Sequence, residues 1–311
     1  MCEGFCSSLP RVRCQMIPAT RLAWTKRDPY LGPRPSPHER IISVTNLINA
    51  PRIARLVALH RDELPPVEPG QDTWALLGTA VHSALEAAAK TADPPPILVE
   101  HREATEVTVD GVSWVVSGQC DLLEADGVLW DWKVTSAWSV SDGRGGKSEW
   151  ACQLNSLRWL LERTGAVPKG SIRGLGVWAI LRDWNAKQAE RDSGYPDAQE
   201  IAVPIPMWGY DDADAYVRGR LRLHEAARHT LPDCTPEERW SKDSGFAVLR
   251  SVKSPRAERI LPTREEAERY RDEILRGKGL IEERHGTSLR CQRYCQARSV
   301  CSQAKILLDI P

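Results

Sequence analysis

An acid and a lysine lie two residues apart in Asp131-Trp132-Lys133, inside a segment from 128 to 134 that is otherwise apolar. Residues i and i+2 of a strand face the same side, so Asp131 and Lys133 project together. Two charges in such a strand are costly unless they are paired or hold a metal. Carboxylate-bound magnesium can activate water and neutralise a phosphate, and a nearby lysine can assist. The pair indicates phosphodiester hydrolysis, although a solvated ion pair on an edge strand explains it too.

Asp121 lies on the preceding strand, and the length of the intervening loop decides which side it faces. A two-residue loop would pair Asp121 with Trp132, on the face opposite to Asp131. A three-residue loop over 125–127 pairs Asp121 directly with Asp131, and its last position favours glycine in the left-handed region, where Gly127 stands. We therefore predict the three-residue loop, which places the two carboxylates on one face.

Two predicted helices carry further polar candidates. His82 and Glu86 lie four residues apart and share a helix face, so that His82 could bind a metal with Glu86 as a supporting acid. Gln153 begins a later helix beside an apolar stripe that includes Leu157. Taken singly, His82 is also explained as a structural or exposed histidine, and Gln153 as a solvated residue at the border of its helix.

The elements that must position these residues follow from hydrophobic periodicity and from turn residues. Asp110-Gly111 is a strong hairpin signal, and Thr263 with Glu266 forms a capping box. The sequence predicts helices over 43–61, 73–90, 150–163, 211–229 and from 263 to about 276, and strands over 107–109, 112–116, 119–124, 128–134, 175–181 and, at a sheet edge, 201–205.

Together these motifs resemble the PD-(D/E)XK nuclease superfamily. The resemblance is carried by Gly78 with His82, then by Gly118-Gln119-Cys120-Asp121, Asp131-Trp132-Lys133 and Gln153, in that order. It covers about residues 42 to 182 and is nearest to the RecB-type and phage exonuclease-like branch, with the CRISPR-associated four-cysteine exonucleases. It implies an α/β fold with a restriction-endonuclease-like core (helix, three strands, helix, strand), a mixed sheet and a small cysteine-rich C-terminal subdomain.

The resemblance also implies roles. His82, Asp121, Asp131 and the carbonyl of Trp132 would bind Mg²⁺ or Mn²⁺. The catalytic residues implied by the resemblance are Asp121, Asp131, Lys133 and Gln153. One position departs from the pattern, because Leu157 stands where that branch commonly has a tyrosine. The implied activity is hydrolysis of DNA, as an exonuclease in phage or bacterial DNA processing or recombination, with a recombination or replication protein as a further partner.

Three cysteines close together, Cys291, Cys295 and Cys301, are typical of a zinc site or an iron–sulfur cluster, and either needs a fourth ligand. Cys234 resembles a cysteine that precedes the tail in phage proteins of this kind, and is the preferred fourth ligand of a 4Fe-4S cluster or, alternatively, of Zn²⁺. His285 is the second choice. Free thiols packed as small hydrophobic residues are the alternative to a metal centre.

The composition sets the remaining expectations. The 42 basic and 42 acidic residues give no net charge, and nothing in the sequence is apolar for long enough to span a membrane. Nine cysteines without a signal-peptide pattern favour a reducing cytoplasm. Residues 1–40, with six prolines and Cys2, Cys6 and Cys14, read as a flexible extension, 41–210 as the nuclease core and 211–311 as a helical and cysteine-rich region. The competing functions are a non-catalytic, metal-stabilised DNA-binding or assembly module and an iron–sulfur redox protein. The redox alternative is disfavoured, because the sequence contains no cofactor fingerprint such as G-x-G-x-x-G.

Overall fold

The computed structural model describes residues 36, 38–64, 73–140, 147–242, 244–254 and 256–309. Most of the predicted N-terminal extension, with Cys2, Cys6 and Cys14, lies outside the described residues. Contacts divide the chain into two units. Unit 1 comprises 1–49 and 65–229, and unit 2 comprises 50–64 and 230–311.

Unit 1 is built on a six-stranded mixed sheet. Strand β3 pairs in parallel with β1 and antiparallel with β2 and β4, β4 and β5 are parallel, and β6 is the antiparallel edge strand beyond β5. The strands are β1 Ile41–Ser43, β2 Leu98–Val109, β3 Val112–Leu123, β4 Val128–Thr135, β5 Gly174–Leu181 and β6 Glu200–Ile205. The chain is therefore an α/β protein with a mixed sheet.

Five helices belong to unit 1 within the residues described: α1 Val44–Leu47, α3 Thr73–Ala89, α4 Ser148–Thr164, α5 Ala186–Ala189 and α6 Tyr210–His229. Helix α4 covers the sheet most closely at Gly118, where a Cβ atom would lie 2.6 Å from Leu157 Cδ2. Leu157 is only 3% exposed, so at this position the chain has a core residue. Tight packing there requires glycine in β3.

Helix α6 packs into the same core. Its residues Val217 and Leu221 are fully buried, and Asp214 accepts a hydrogen bond from Trp159 of α4 at 2.9 Å. The helix therefore belongs to unit 1, whereas the boundary predicted between 210 and 211 separates it from the core at its first turn.

Unit 2 contains helix α2 together with the C-terminal elements. Strands β8 and β9 pair antiparallel, as do β8 and β10, and β7 and β11 form a second small pair. Its elements are α2 Pro51–Leu59, β7 Ser241–Lys242, β8 Gly245–Leu249, β9 Arg259–Leu261, α7 Arg264–Ile274, β10 Leu280–Arg284, β11 Thr287–Ser288 and α8 Ser302–Leu308. Thr263 caps α7 by accepting a hydrogen bond from the Glu266 amide at 3.2 Å, so the predicted N-cap is confirmed.

Most predicted elements of unit 1 are confirmed with ends shifted by a few residues. The strands are longer than predicted, because β3 continues without a break from 112 to 123 and β2 already begins at Leu98. Asp110 and Gly111 both have positive φ, +51° and +78°, which confirms the two-residue hairpin. No helix among the described residues is both long and apolar enough to cross a membrane.

Candidate active site

The loop between β3 and β4 has the predicted length. Leu122 pairs with Trp130 and Leu123 with Leu129, and Gly127 takes a φ of +89° at the end of the loop. Continuing this register places Asp121 opposite Asp131, as the three-residue loop requires. Hydrogen bonding between the two backbones stops at this point, because the Trp132 amide donates instead to Asp121 Oδ2 at 2.7 Å.

Asp131 is the most deeply buried of the predicted site residues, at 3% exposed. Its Oδ2 lies 2.6 Å from Lys133 Nζ, and its Oδ1 accepts a hydrogen bond from Gln153 Nε2 at 3.0 Å. Asp131 and Lys133 therefore share a face of β4, and Gln153 in the second turn of α4 completes the set. All three of these residues were predicted from the sequence, and the structure brings them together.

A second group lies beside this one. His82 Nδ1 is 3.7 Å from Glu100 Oε1 and 3.7 Å from Asp121 Oδ2. Across the described ranges, these three residues are the group whose ligand atoms all lie within 4.8 Å of one another. The Nε2–H of His82 donates to the carbonyl of Trp132 at 2.8 Å, which leaves Nδ1 directed at the two carboxylates. Asp131 and the Trp132 carbonyl are adjacent to this group but outside it.

Glu100 is the residue that the sequence analysis missed. It lies in β2 with a φ of +46°, in the left-handed region that few non-glycine residues adopt. Its carboxylate accepts a short hydrogen bond from Gln119, whose amide oxygen in turn accepts one from Arg102 at 2.7 Å. This series of hydrogen bonds orients the Glu100 carboxylate toward His82. Unusual backbone of this kind concentrates at functional sites.

Burial and the neighbouring Asp131 charge raise the pKa of Asp121 to about 7. The Glu100 carboxylate raises the pKa of His82, against the effect of burial. Burial opposes the charged form of Glu100, but hydrogen bonds from His82 and Gln119 outweigh it and lower the pKa. The pKa of Lys133 is raised, because its two aspartate neighbours outweigh the cost of desolvation. Several acids held together with too little positive charge are electrostatically prepared for a cation.

The donor set fits a hard divalent cation. Glu100 and Asp121 offer carboxylate oxygens, and His82 offers Nδ1 while its other nitrogen is held by a backbone carbonyl. Metal-binding histidines commonly donate their second ring N–H in this way. Glu86, the predicted supporting acid, instead accepts from Lys90 at 2.6 Å, one turn along α3.

The four predicted thiol ligands lie in unit 2. Cys234, Cys291 and Cys301 are buried in one cluster with Ala50, Ile53 and Leu56 of the α2 region, and the half-buried Cys295 packs against it. Burial and the neighbouring thiols raise the pKa of Cys234 to about 12. The structure thus brings Cys234 to the other three cysteines, whereas His285 is exposed.

Arg52 of α2 is buried in this cluster at 5% exposed. Its Nε donates to Cys301 Sγ at 3.2 Å and its Nη2 to Ser302 Oγ at 2.7 Å. Its Nη1 donates to the carbonyls of Leu231 and Pro232. The buried guanidinium therefore ties the Cys301 sulfur to the backbone of residues 231 and 232.

No protein-family model matches the chain, and no curated protein sequence matches it. Four chains of solved structures match, and one of them is described as "Crystal structure of SSO0001". That structure is 18% identical in sequence, and the match covers 68% of this chain and 85% of the other with a TM-score of 0.44. A likeness at this level carries no argument about function.

Proposed function

We propose that unit 1 is a restriction-endonuclease-like core of the PD-(D/E)XK type and that it hydrolyses DNA with the help of Mg²⁺ or Mn²⁺. One observation carries the proposal. Asp121, Asp131, Lys133 and Gln153, drawn from three separate elements, converge with His82 on one buried, acid-rich position. The order helix, three strands, helix, strand over α3, β2, β3, β4, α4 and β5 is that of the resembling superfamily.

His82, Glu100 and Asp121 would hold the metal, and Asp131 lies close enough for its charge to act on the same ion. When bound, a divalent cation supplies charge neutralisation at the phosphate and activation of water. Glu100 replaces the Trp132 carbonyl in the ligand set expected from the resemblance, because that carbonyl is occupied by His82.

Lys133 acts as a cation in this proposal. The two aspartates raise its pKa, so the ammonium form persists at neutral pH. A protonated lysine can orient the attacking water and stabilise the negative charge that builds on the phosphate, but it cannot accept the proton. Gln153 fixes the Asp131 carboxylate through a hydrogen bond at 3.0 Å, which keeps Oδ2 on Lys133.

The test is cleavage of end-labelled linear DNA and of circular DNA, with and without magnesium. We expect magnesium-dependent cleavage that falls by about a hundredfold or more in Asp131→Ala and Lys133→Ala, the order of effect of losing one electrostatic contact in a site. Glu106→Gln, an exposed acid on β2, is the control and should retain activity. Full activity in both site variants contradicts the mechanism, and DNA binding without cleavage favours a non-catalytic module.

We further propose that the cysteine-rich part of unit 2 holds a 4Fe-4S cluster on Cys234, Cys291, Cys295 and Cys301. Burial raises the pKa of Cys234 and of Cys295, so these thiols need a bound metal to hold them as thiolates. A 4Fe-4S cluster and a tetrahedral zinc can both be held by four thiolates, so the metal content of the purified protein separates them.

A further inference from the structure

Helix α3, which carries His82, leaves much of its apolar surface uncovered. Its seventeen residues are mostly apolar, and none of them, all described, is buried. Trp74 is 51% exposed and Leu77 is 39% exposed. Large apolar side chains gathered on an otherwise uncovered helix indicate a surface that binds something.

One face of Trp74 is occupied by a cation. The Arg182 guanidinium lies 4.5 Å from the centre of the Trp74 ring. Arg182 is fixed at the end of the sheet, because its amide donates to the carbonyl of Thr135 at 2.9 Å, and Thr135 lies two residues beyond Lys133 in β4. The stacked pair therefore lies at the carboxyl end of the strand that carries Asp131 and Lys133.

A second exposed tryptophan follows the same strand. Trp138, in the 3-10 turn Ala137–Ser139, is 79% exposed. The turn is anchored to the segment after Arg182, since the Ala137 amide donates to Asp183 Oδ1 at 2.7 Å. The second tryptophan therefore lies beside the segment that carries Arg182.

We propose that Trp74, Trp138 and Arg182, here called the tryptophan rim, bind a single-stranded segment of DNA and present it to the carboxylate site. Bases stack on the two indoles, and Arg182 contacts phosphates. The inference rests on the proposed nuclease function and adds the class of substrate.

The chemistry of the tryptophan rim selects single strands. A base can stack on an indole only when its own flat face is free, and in a duplex the neighbouring base pairs cover that face. Stacking is tolerant of sequence, because every base has a π-face, and cations beside the rings add phosphate contacts that weaken with salt. Arg182 covers one face of Trp74, and its half-exposed ring leaves surface for a base.

The experiment measures binding of a fluorescein-labelled oligo(dT) and of a blunt duplex of equal length by fluorescence anisotropy in EDTA, where cleavage cannot proceed. Trp74→Ala and Trp138→Ala should each weaken oligo(dT) binding by about tenfold, the usual effect of removing one stacking aromatic. Trp74→Phe keeps a π-face and should largely restore binding. Leu223→Ala, on α6 and 49% exposed, is the matched control and should change nothing.

Cleavage kinetics in magnesium complete the design. In the two alanine variants KM for single-stranded DNA should rise by about the same tenfold factor, with kcat unchanged, because the tryptophan rim binds substrate away from the reacting phosphate. Unchanged oligo(dT) binding in both variants, or equal weakening for the blunt duplex, overturns the inference and leaves the nuclease standing. Tryptophan-dependent binding in a wild-type protein that cleaves no DNA supports the tryptophan rim and overturns the nuclease.

Discussion

Asp121 and Asp131 are both aspartates, yet their surroundings give them different tasks. Asp131 is neutralised by Lys133 and fixed by Gln153. Asp121 instead faces His82 and accepts the Trp132 amide, and burial together with the Asp131 charge raises its pKa to about 7. A carboxylate in that condition gains from a cation, whereas Asp131 already has one. This difference explains why the candidate metal group comprises His82, Glu100 and Asp121 and leaves out Asp131.

Glu100 gives a prediction at the same scale. Glu100→Gln keeps the size of the side chain and removes one anionic ligand, so Mn²⁺ affinity should fall by about tenfold or more, the lower range for disturbing a metal site. Isothermal titration calorimetry with Mn²⁺ on the purified protein measures this directly. Glu106→Gln, an exposed acid on the same strand, should bind Mn²⁺ normally. Equal affinity in the Glu100 variant would remove Glu100 from the metal group.

The site residues differ in how far the sequence reveals them. Asp121, Asp131 and Lys133 lie in apolar strands, where alternation and one loop length fix their side. Glu100 lies in a run of polar residues, Glu100 to Glu103, which gives no apolar alternation to indicate a strand. Its positive φ could not be anticipated either, since the left-handed region is usual for glycine and not for glutamate.

At the scale of elements, two side chains of helix α6 hydrogen-bond to the C-terminal end of helix α1. The carbonyl of Leu47, at the end of α1, accepts hydrogen bonds from Arg220 at 2.9 Å and from His224 Nε2 at 3.0 Å. His224 is 5% exposed, and burial lowers its pKa to about 4, with the Arg220 charge acting in the same direction. The ring therefore donates from Nε2 as a neutral imidazole.

This contact makes stability depend on pH. The His224 pKa is about 4 when folded and 6.5 in the reference state, so the contribution is complete above pH 6.5 and is lost as pH falls toward 4. Between pH 7.5 and 4.5 the wild type should lose about 2 to 3 kcal/mol of unfolding free energy through this residue. Urea unfolding at both pH values measures it.

His224→Gln should be less stable at pH 7.5 but should lose less stability on acidification than the wild type. His229→Gln, at the exposed end of the same helix, is the control. Its unfolding free energy should fall between pH 7.5 and 4.5 by as much as that of the wild type. The same pH slope in His224→Gln and in the wild type would mean that the buried ring does not resist protonation.

Elements could be predicted where their signals are local. The hairpins at Asp110-Gly111 and Gly127 and the helices α3 and α4 follow from turn chemistry and periodicity. Strand β1 was not predicted, because its three residues gain their structure from parallel pairing with residues 115–117 of β3, distant in sequence. Such pairing leaves no local pattern.

At the scale of the molecule, the chain of unit 2 is discontinuous. Residues 50–64 belong with 230–311, and Arg52 shows why. A buried guanidinium needs acceptors, and Arg52 finds them in unit 2: the Leu231 and Pro232 carbonyls, the Asp233 carboxylate, Cys301 and Ser302. In the sequence, α2 directly precedes the elements of unit 1, so its position alone would place it in that unit. The three-dimensional contacts of Arg52, together with the burial of Ile53 and Leu56 against the cysteines, assign it to the other unit.

The cysteines of unit 2 give the last prediction. Cys295→Ser removes one of four thiols from the cluster. If the four hold a 4Fe-4S group, iron in anaerobically purified protein should be near-stoichiometric in the wild type and fall severalfold in the variant. The melting temperature should fall with it, since binding of a structural metal contributes to folding free energy. Metal analysis by mass spectrometry and thermal unfolding measure the two effects.

Two variants separate this centre from the other thiols and from the competing ligand. Cys152→Ser changes a half-buried thiol of α4 in unit 1, and His285→Ala changes the exposed histidine that was the second choice for the fourth ligand. Both should keep their iron. If iron is lost in His285→Ala but kept in Cys234→Ser, the fourth ligand is His285 and not Cys234. Zinc in place of iron would assign the four thiols to a tetrahedral zinc site.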